Sequence, residues 1–180
     1  DRKTPAGQSL LPEPDGTVWL ANGIYPGWQI GERVSLTDPR EPAPSKEEVG
    51  RGPLPDSIGR FNAIRQVSNG VVLEYRVNGA MVQEHMQESH ASDSWTFVRE
   101  FHVAPSQRPM WLLLGTTGPE ISVAAQGGGV SVQQTSFPQP DGAVSVWAVR
   151  VPSHEQPISF FARFAHAADA TGAPSGFRLD

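Results

Sequence analysis

The sequence contains no cysteine. Disulfides, thiolate metal ligands, cysteine nucleophiles and covalent haem attachment through a Cys-x-x-Cys-His motif are therefore excluded within this chain. The absence leaves the redox compartment open, because a cysteine-free chain is compatible with oxidising and reducing environments alike. The sequence also lacks any apolar run that approaches the roughly 20 residues of a membrane-spanning helix.

Charged residues are few, and the negative net charge is unfavourable for polyanionic partners. Charged residues make up 18% of the 180 residues and apolar residues 38%, both below the usual share of a globular protein. The formal net charge is −5, and lysines and arginines are scattered along the chain rather than clustered. Nucleic acids and anionic membrane surfaces select basic patches, so we expect neither as a partner.

Glycine and proline, by contrast, are abundant, with 18 and 17 residues. They separate many short runs of β-forming residues, a composition that favours an all-β fold over a helical one. We predict an antiparallel β-sandwich with long Pro/Gly-rich loops. We place a tail or linker over residues 1–16, a single sandwich domain over 17–168 and a C-terminal tail over 169–180. A chain that begins with Asp1 rather than methionine is expected to be processed or excised from a longer protein.

The clearest strand signal lies at residues 71–77, within a stretch that reads as a β-meander over residues 61–103. Val71, Leu73, Tyr75 and Val77 point one way and Glu74 and Arg76 the other, so one face of this strand is predicted to be buried and the other exposed to solvent. Asn78-Gly79 follows directly, and this dipeptide is typical of a two-residue type I′ hairpin turn.

The other predicted strands follow the same alternation or form short apolar runs. We expect residues 88–94 to form a turn or loop and residues 36–58 a long loop, and we expect Trp95, Trp111 and Trp147 to lie in the core. Residues 110–114 form a continuous apolar run, which indicates a strand covered on both faces. The segments on either side of Gly127-Gly128-Gly129 are expected to pair with each other as a hairpin. The strand candidates outside the 61–79 stretch are residues 17–21, 80–87, 95–103, 110–114, 121–125, 130–134, 143–151 and 158–165.

Three aromatic residues near the start of the domain are the candidate ligand-binding residues. Trp19 lies in the first strand candidate, and Tyr25 and Trp28 lie near glycines and a proline in the segment that follows. Aromatic rings presented by such loops on a sandwich surface stack against sugar faces. The same rings also commonly close the end of a hydrophobic core, because aromatics have large burial energies.

No catalytic or metal-binding motif stands out from the background. The five histidines lack the close spacing of a metal site, and no Gly-x-Ser-x-Gly nucleophile elbow is present. Glu74, Glu84 and Glu100 fall on neighbouring predicted strands, where a pair of carboxylates held at the right separation hydrolyses glycosides. Charged residues on an exposed strand face are the simpler interpretation. We predict no catalytic residue, no metal and no cofactor.

Several segments together resemble a domain of unknown function that occurs in large secreted multidomain proteins of planctomycetes and their relatives. Those proteins often contain c-type cytochrome modules and dehydrogenase-like regions. The likeness covers about residues 22–115, and it implies an extracytoplasmic accessory domain without a catalytic residue. Haem-attachment motifs and the dehydrogenase region are absent here, so neither activity is implied. The segments that carry the resemblance are Gly52-Pro53-Leu54-Pro55, Phe61-Asn62-Ala63-Ile64, residues 71–79 and residues 97–101, with Pro26-Gly27-Trp28 and Thr37-Asp38-Pro39-Arg40 upstream.

These observations lead to one leading hypothesis and two alternatives. The leading hypothesis is a non-catalytic accessory or binding module of a larger secreted or periplasmic bacterial protein, with polysaccharide bound through Trp19, Tyr25 and Trp28. The first alternative is a structural or interaction domain that packs against a redox partner or another domain of the parent protein. The second is a polysaccharide hydrolase or lyase that uses residues of a concave sheet, such as Glu74, Arg76 and Arg99.

Overall fold

A computed structural model describes residues 2–3, 9–10, 16–23, 25–38, 40, 54–91, 94–140 and 142–166. These residues form strands, turns and loops, and no helix occurs among them. The all-β prediction is therefore confirmed. The strands are β1 (Arg2–Lys3), β2 (Ser9–Leu10), β3 (Leu20–Ala21), β4 (Trp28–Ile30), β5 (Gly59–Val67), β6 (Gly70–Val77), β7 (Ala80–Ala91), β8 (Ser94–Val103), β9 (Met110–Thr117), β10 (Ile121–Gly127), β11 (Ser131–Gln139), β12 (Gly142–Val151) and β13 (Ile158–His166).

Two antiparallel sheets pack face to face as a sandwich. The larger sheet has six strands in the order β10-β13-β8-β7-β6-β5, which places β5 at one edge. The smaller sheet has the order β11-β12-β9-β3, and β4 also pairs with β9. The short strands β3 and β4 thus share one edge of β9, at its C-terminal and N-terminal ends. β1 and β2 pair with each other as a separate two-stranded ribbon.

The predicted meander forms four consecutive strands of the six-stranded sheet, β8 to β5, and ends at one edge of it. The β6–β7 hairpin closes through Asn78 and Gly79, whose φ angles of 46° and 85° are both positive, as a type I′ turn requires. Val77 pairs with Ala80 on either side of this turn. The register places Tyr75 of β6 opposite Val82 of β7, which is fully buried. The predicted alternation is thus confirmed at the turn end of β6, where Tyr75 and Val77 contact the main core and Arg76 is exposed. Residues 70–75 are all of intermediate burial.

The main core lies between the sheets and consists of aliphatic and aromatic side chains. Phe101 and Phe160 stack with their ring centroids 4.8 Å apart. Strand β9 is buried on both faces, as its apolar run predicts. Its inward side chains join the main core, while Trp111 and Leu113 form a second, smaller cluster on the outer face of their sheet. The buried members of the main core are Trp28, Val77, Val82, Phe101, Val103, Met110, Leu112, Leu114, Ile121, Val149, Val151, Phe160, Ala162 and Phe164.

Three predictions about individual elements are wrong. β7 continues to Ala91, so most of the predicted 88–94 loop is strand, because ladder pairing with β8 extends to that end. β10 and β11 do not form a hairpin: β10 pairs with β13 in the larger sheet and β11 pairs with β12 in the smaller one. The glycines between them let the chain cross from one sheet to the other. Trp95 is 49% exposed rather than buried.

Other predicted segments lie wholly or partly outside the described residues. Most of the 36–58 loop and all of the 169–180 tail fall there. Within the predicted 1–16 tail, β1 and β2 are described. No helix in the described part of the chain is long and apolar enough to cross a membrane.

Candidate functional site: a cleft between the two sheets

Trp28 is the predicted ligand-binding residue with the most defined surroundings. It is the first residue of β4 and pairs with Leu112 of β9, which directs its indole into the main core. There the ring is only 9% exposed and meets the rings of Phe101 and Phe160 edge-on, at centroid distances of 5.9 and 6.5 Å. The indole is therefore packed in the interior and does not present an open ring face at the surface.

Trp19 and Tyr25 lie in two other places. Trp19 is partly buried at the rim of the main core, where its ring meets the imidazole of His166 at 5.3 Å. Tyr25 packs on the outer face of the smaller sheet, against the cluster that contains Trp111. The structure does not bring the three predicted residues onto one surface, and ligand binding by them stays a prediction.

A chain of three hydrogen bonds begins at the Trp28 indole and runs across the interior. Trp28 Nε1 donates to Tyr75 Oη over 2.8 Å, and Tyr75 Oη donates to Glu84 Oε2 over 2.8 Å. Arg99 Nε donates to the other carboxylate oxygen, Oε1, over 2.7 Å. The network thus joins residues from β4, β6, β7 and β8, and so ties the two sheets together.

The strand register explains why two charged side chains lie inside a sandwich. Glu84 falls in phase with the core residue Val82 on β7, and Arg99 falls in phase with the core residue Phe101 on β8. Glu84 is only 3% exposed. The Arg99 guanidinium also lies over the Phe101 ring, 5.3 Å from its centroid. Desolvation of an ion pair usually offsets most of its attraction, so such a pair is weak evidence of a purely stabilising role.

The Tyr75 phenol is a fixed hydrogen-bond donor at this site. Burial raises its pKa well above the usual value, and the negative charge of Glu84 raises it further. Tyr75 therefore stays protonated and gives its proton to the Glu84 carboxylate in a hydrogen bond. A phenol held this way orients its neighbours but is poorly suited to act as a base.

The network forms part of the lining of a cleft of about 600 Å³ between the sheets, near the β5 edge. This volume falls in the range of small-ligand sites. A second cavity of about 350 Å³ shares Trp28, Ile58 and Val77 with it. The larger cleft is lined by Asn22, Gly27, Trp28, Leu54, Asp56, Ile58, Gly59, Arg60, Phe61, Tyr75, Arg76, Val77, Glu84, Arg99, Leu112 and Leu113.

Phe61 is the exposed aromatic residue of this cleft. It pairs with Tyr75 on the inward face of the larger sheet, yet it is 61% exposed, because β5 is the edge strand. Phe61 was not predicted from the sequence as a binding residue, because an aromatic residue between polar neighbours in a strand is typical of an ordinary core position. The available signal was its position on the first strand of a meander, since an outermost strand is the one least covered by the opposite sheet.

The charged residues of the lining divide between the two faces of the sheet. Glu84 and Arg99 point inward, whereas Arg60 and Arg76 pair one position away from the inward pair Phe61 and Tyr75, so their side chains alternate to the outer face. Arg60 and Asp56 are both well exposed and lie 3.6 Å apart, so their ion pair is weak. The inward-facing charges of the described lining are therefore those of the Glu84–Arg99 pair.

The glutamates considered for catalysis do not converge. Glu84 points inward, whereas Glu74 lies on the outer face of the sheet, where it accepts hydrogen bonds from Arg65 and Gln83. Glu100 is on the same outer face, within 4.0 Å of His85 and 3.8 Å of His102. Glu74 and Arg99 thus face opposite sides of the sheet and share no groove.

The outer face also offers little for metal chemistry. No group of three or more His, Asp or Glu side chains in the described part of the chain is arranged to hold a metal ion. The shortest contact of the His102 imidazole is with the Ser159 hydroxyl, 2.7 Å from Nδ1, and both side chains are substantially exposed.

Comparison with known proteins identifies one family. The family described as a domain of unknown function (DUF6797) matches residues 2–84. The matched region includes β1 to β6 and ends within β7 at Glu84, so it covers just under half of the chain. No curated protein and no solved structure matches the chain. The chain is therefore similar, over this region, to a domain whose function is unknown.

Proposed function

We propose that this chain is a non-catalytic binding module and that its ligand is a carbohydrate held in the cleft between the sheets. The observation that carries the proposal is the exposed Phe61 ring beside the Trp28–Tyr75–Glu84–Arg99 network. Sugars have an apolar ring face and a rim of hydroxyl groups. An exposed aromatic ring with adjacent fixed donors and acceptors is complementary to both.

The state of the polar groups supports binding rather than turnover. The Tyr75 phenol is committed to Glu84, and both Glu84 oxygens accept hydrogen bonds from the protein. A general acid or base must instead be free to exchange a proton with the substrate at its working pH. The other carboxylate of the described lining, Asp56, is well exposed beside Arg60.

The proposal includes a setting for the module. We infer that it belongs to a larger extracytoplasmic bacterial protein, in which it serves as an accessory domain. The resemblance of residues 22–115 to a domain of secreted planctomycete proteins supports this setting. A cysteine-free chain is compatible with that compartment.

Affinity electrophoresis through gels that contain soluble polysaccharides tests the proposal. The wild-type chain is expected to be retarded by at least one glycan, and Phe61→Ala is expected to lose about 1 kcal/mol or more of that binding. Trp95→Ala is the matched control, because Trp95 is also an exposed aromatic but does not line the cleft. Equal loss in both variants, or none in either, would contradict binding in the cleft.

The same mixtures should be assayed for new reducing ends and unsaturated sugars. The proposal predicts neither. Their appearance would favour the hydrolase or lyase alternative and would require a site other than the one described here.

A second candidate function rests on a different observation. β5 is an edge strand of nine residues, and its inward-facing Phe61 and Ile64 are 61% and 64% exposed. Unpaired strand edges with apolar side chains are surfaces on which other chains dock. This supports an interaction domain that packs against another domain of its parent protein or against a redox partner.

Ile64 separates the two candidates, since it does not line the cleft. Ile64→Lys should leave glycan retention unchanged and should abolish association with a neighbouring domain of the parent protein in sedimentation experiments. If the isolated chain and that domain sediment independently at all accessible concentrations, the interaction candidate is removed.

A further inference from the structure

The Arg99 guanidinium has hydrogen-bonding capacity that the protein does not use. An arginine side chain carries five N–H donors, and Arg99 uses only the one on Nε, toward Glu84 Oε1. Among the described residues, no side chain or carbonyl group accepts a hydrogen bond from its two terminal nitrogens, Nη1 and Nη2. Four donors are therefore left for another partner.

These donors are open to the cleft. Two side-chain atoms of the described residues are fully buried without a hydrogen-bond partner, His85 Nε2 and Trp111 Nε1. The terminal nitrogens of Arg99 are not among them, so they are within reach of solvent, although the side chain as a whole is only 12% exposed. Since Arg99 lines the cleft, a ligand in the cleft is able to reach the same nitrogens.

The orientation of the guanidinium is fixed before a ligand arrives. Its Nε is tied to Glu84, which is held in turn by Tyr75, and its plane lies over the Phe101 ring. Such a preorganised fork loses little conformational entropy when it binds. The group that matches two parallel N–H donors is planar and bears two acceptor oxygens, which describes a carboxylate.

The recognition of an anion rests on the Arg99 fork itself. Glu84 compensates the charge of Arg99, and the strand register turns the side chains of Arg60 and Arg76 to the outer face of the sheet. A ligand carboxylate is therefore held by directed hydrogen bonds from Nη1 and Nη2 rather than by a net positive field.

We infer that the cleft recognises an acidic glycan, with the carboxylate of a uronic acid bound by the terminal nitrogens of Arg99 and a sugar ring stacked on Phe61. This inference rests on the proposed function and narrows it to one class of carbohydrate. No proton transfer or bond cleavage is part of it.

The test compares ligands that differ in the carboxylate alone. Affinity gels should be prepared with polygalacturonate, with the same polymer as its methyl ester and with a sulfated dextran. We expect retention by polygalacturonate, at least about tenfold weaker retention by the ester, and a decline with added salt, because a charged hydrogen bond is lost or screened. The sulfated polymer separates carboxylate recognition from a general preference for anions.

Three variants of the full chain assign the effect to its residues. Arg99→Lys keeps the charge beside Glu84 and so keeps the fold, but it removes the planar fork. It is expected to weaken polygalacturonate binding about tenfold without changing retention by the ester. Phe61→Ala is expected to weaken binding of both polymers. Arg150→Gln, at an exposed position of β12 away from the cleft, is the control and should change neither.

Each outcome decides a different point. Equal retention of the acid and its ester would overturn the inference and leave the carbohydrate-binding proposal intact. If the sulfated polymer is retained as strongly as polygalacturonate, the inferred recognition of a uronate is wrong and the cleft binds anions in general. If the folded wild-type chain retains neither these polymers nor neutral glycans, the proposed function fails as well.

Discussion

Arg99 and Glu84 face each other from adjacent strands inside the sandwich, with Arg99 Nε 2.7 Å from Glu84 Oε1. Their side chains are 12% and 4% exposed, so both charges are largely withdrawn from water. The pair persists because the register places Glu84 opposite Phe101 and the long arginine side chain folds back over that ring. The tertiary structure thus converts two ordinary strand residues into the centre of the candidate site.

Removal of one member of this pair should destabilise the fold far more than removal of both. Arg99→Met leaves the Glu84 charge buried without its cation, which is expected to cost about 3–5 kcal/mol in unfolding free energy. The double variant Glu84→Leu/Arg99→Met should recover most of that loss. Urea denaturation of the wild-type chain, both single variants and the double variant measures the coupling. Additive effects of the two substitutions would show that the side chains do not interact in the folded state.

The Tyr75 hydroxyl should contribute to stability through its two hydrogen bonds. Tyr75→Phe leaves Trp28 Nε1 and Glu84 Oε2 without their shared partner, at an expected cost of about 1–3 kcal/mol. Tyr25→Phe is the matched control, since the phenol of Tyr25 makes no hydrogen bond with a described residue. Its expected effect is below about 0.5 kcal/mol by the same denaturation assay. Similar losses in the two variants would contradict the role given to the network.

Glu74 should make stability depend on pH in the acid range. Hydrogen bonds from Arg65 and then Gln83 lower the pKa of Glu74 below the 4.5 of an unperturbed glutamate. The unfolded chain therefore binds this proton first as the pH falls, and the contribution is present above about pH 4.5 and lost as the pH falls through the folded-state pKa. The stability difference between the wild-type chain and Glu74→Gln should be larger at about pH 7 than at about pH 3.

Low salt should be used for this measurement, because the Arg65 side chain is exposed and its attraction is screened. Glu155→Gln, at an exposed position between β12 and β13, provides the control. A difference for Glu74→Gln that does not change between the two pH values would refute the ionic contribution.

Gly115 should not tolerate a side chain. Its φ angle is +105°, and a Cβ atom there would overlap the carbonyl oxygen of Ala21 in β3. It also lies at the irregularity in register where β9 pairs with β12. Gly115→Ala should therefore lower the unfolding free energy by about 2–3 kcal/mol and displace β3. Gly27→Ala, where a Cβ atom meets nothing within 4 Å, should be close to neutral in the same thermal or urea unfolding experiment.

Local chemistry along the chain was sufficient to predict several of the elements. The alternation at residues 71–77 and the Asn78-Gly79 turn were sufficient to predict a hairpin, because strand period and positive φ are properties of the local chain. The continuous apolar run at 110–114 was sufficient to predict a strand buried on both faces. These signals concern a residue and its neighbours in sequence, and they predicted the fold class correctly.

The pairing of the strands and the meeting of the side chains at the site depend on long-range packing, which no local pattern shows. The segments on either side of Gly127-Gly128-Gly129 are equally suited to a hairpin, yet they enter different sheets, because non-local pairing is not encoded in a local pattern. Burial likewise depends on what covers a residue. Trp28 is covered by the opposite sheet, whereas Phe61 on the edge strand is not, although both are aromatic residues in strands. The Glu84–Arg99 pair arises only when β7 and β8 lie side by side and the smaller sheet excludes water from them.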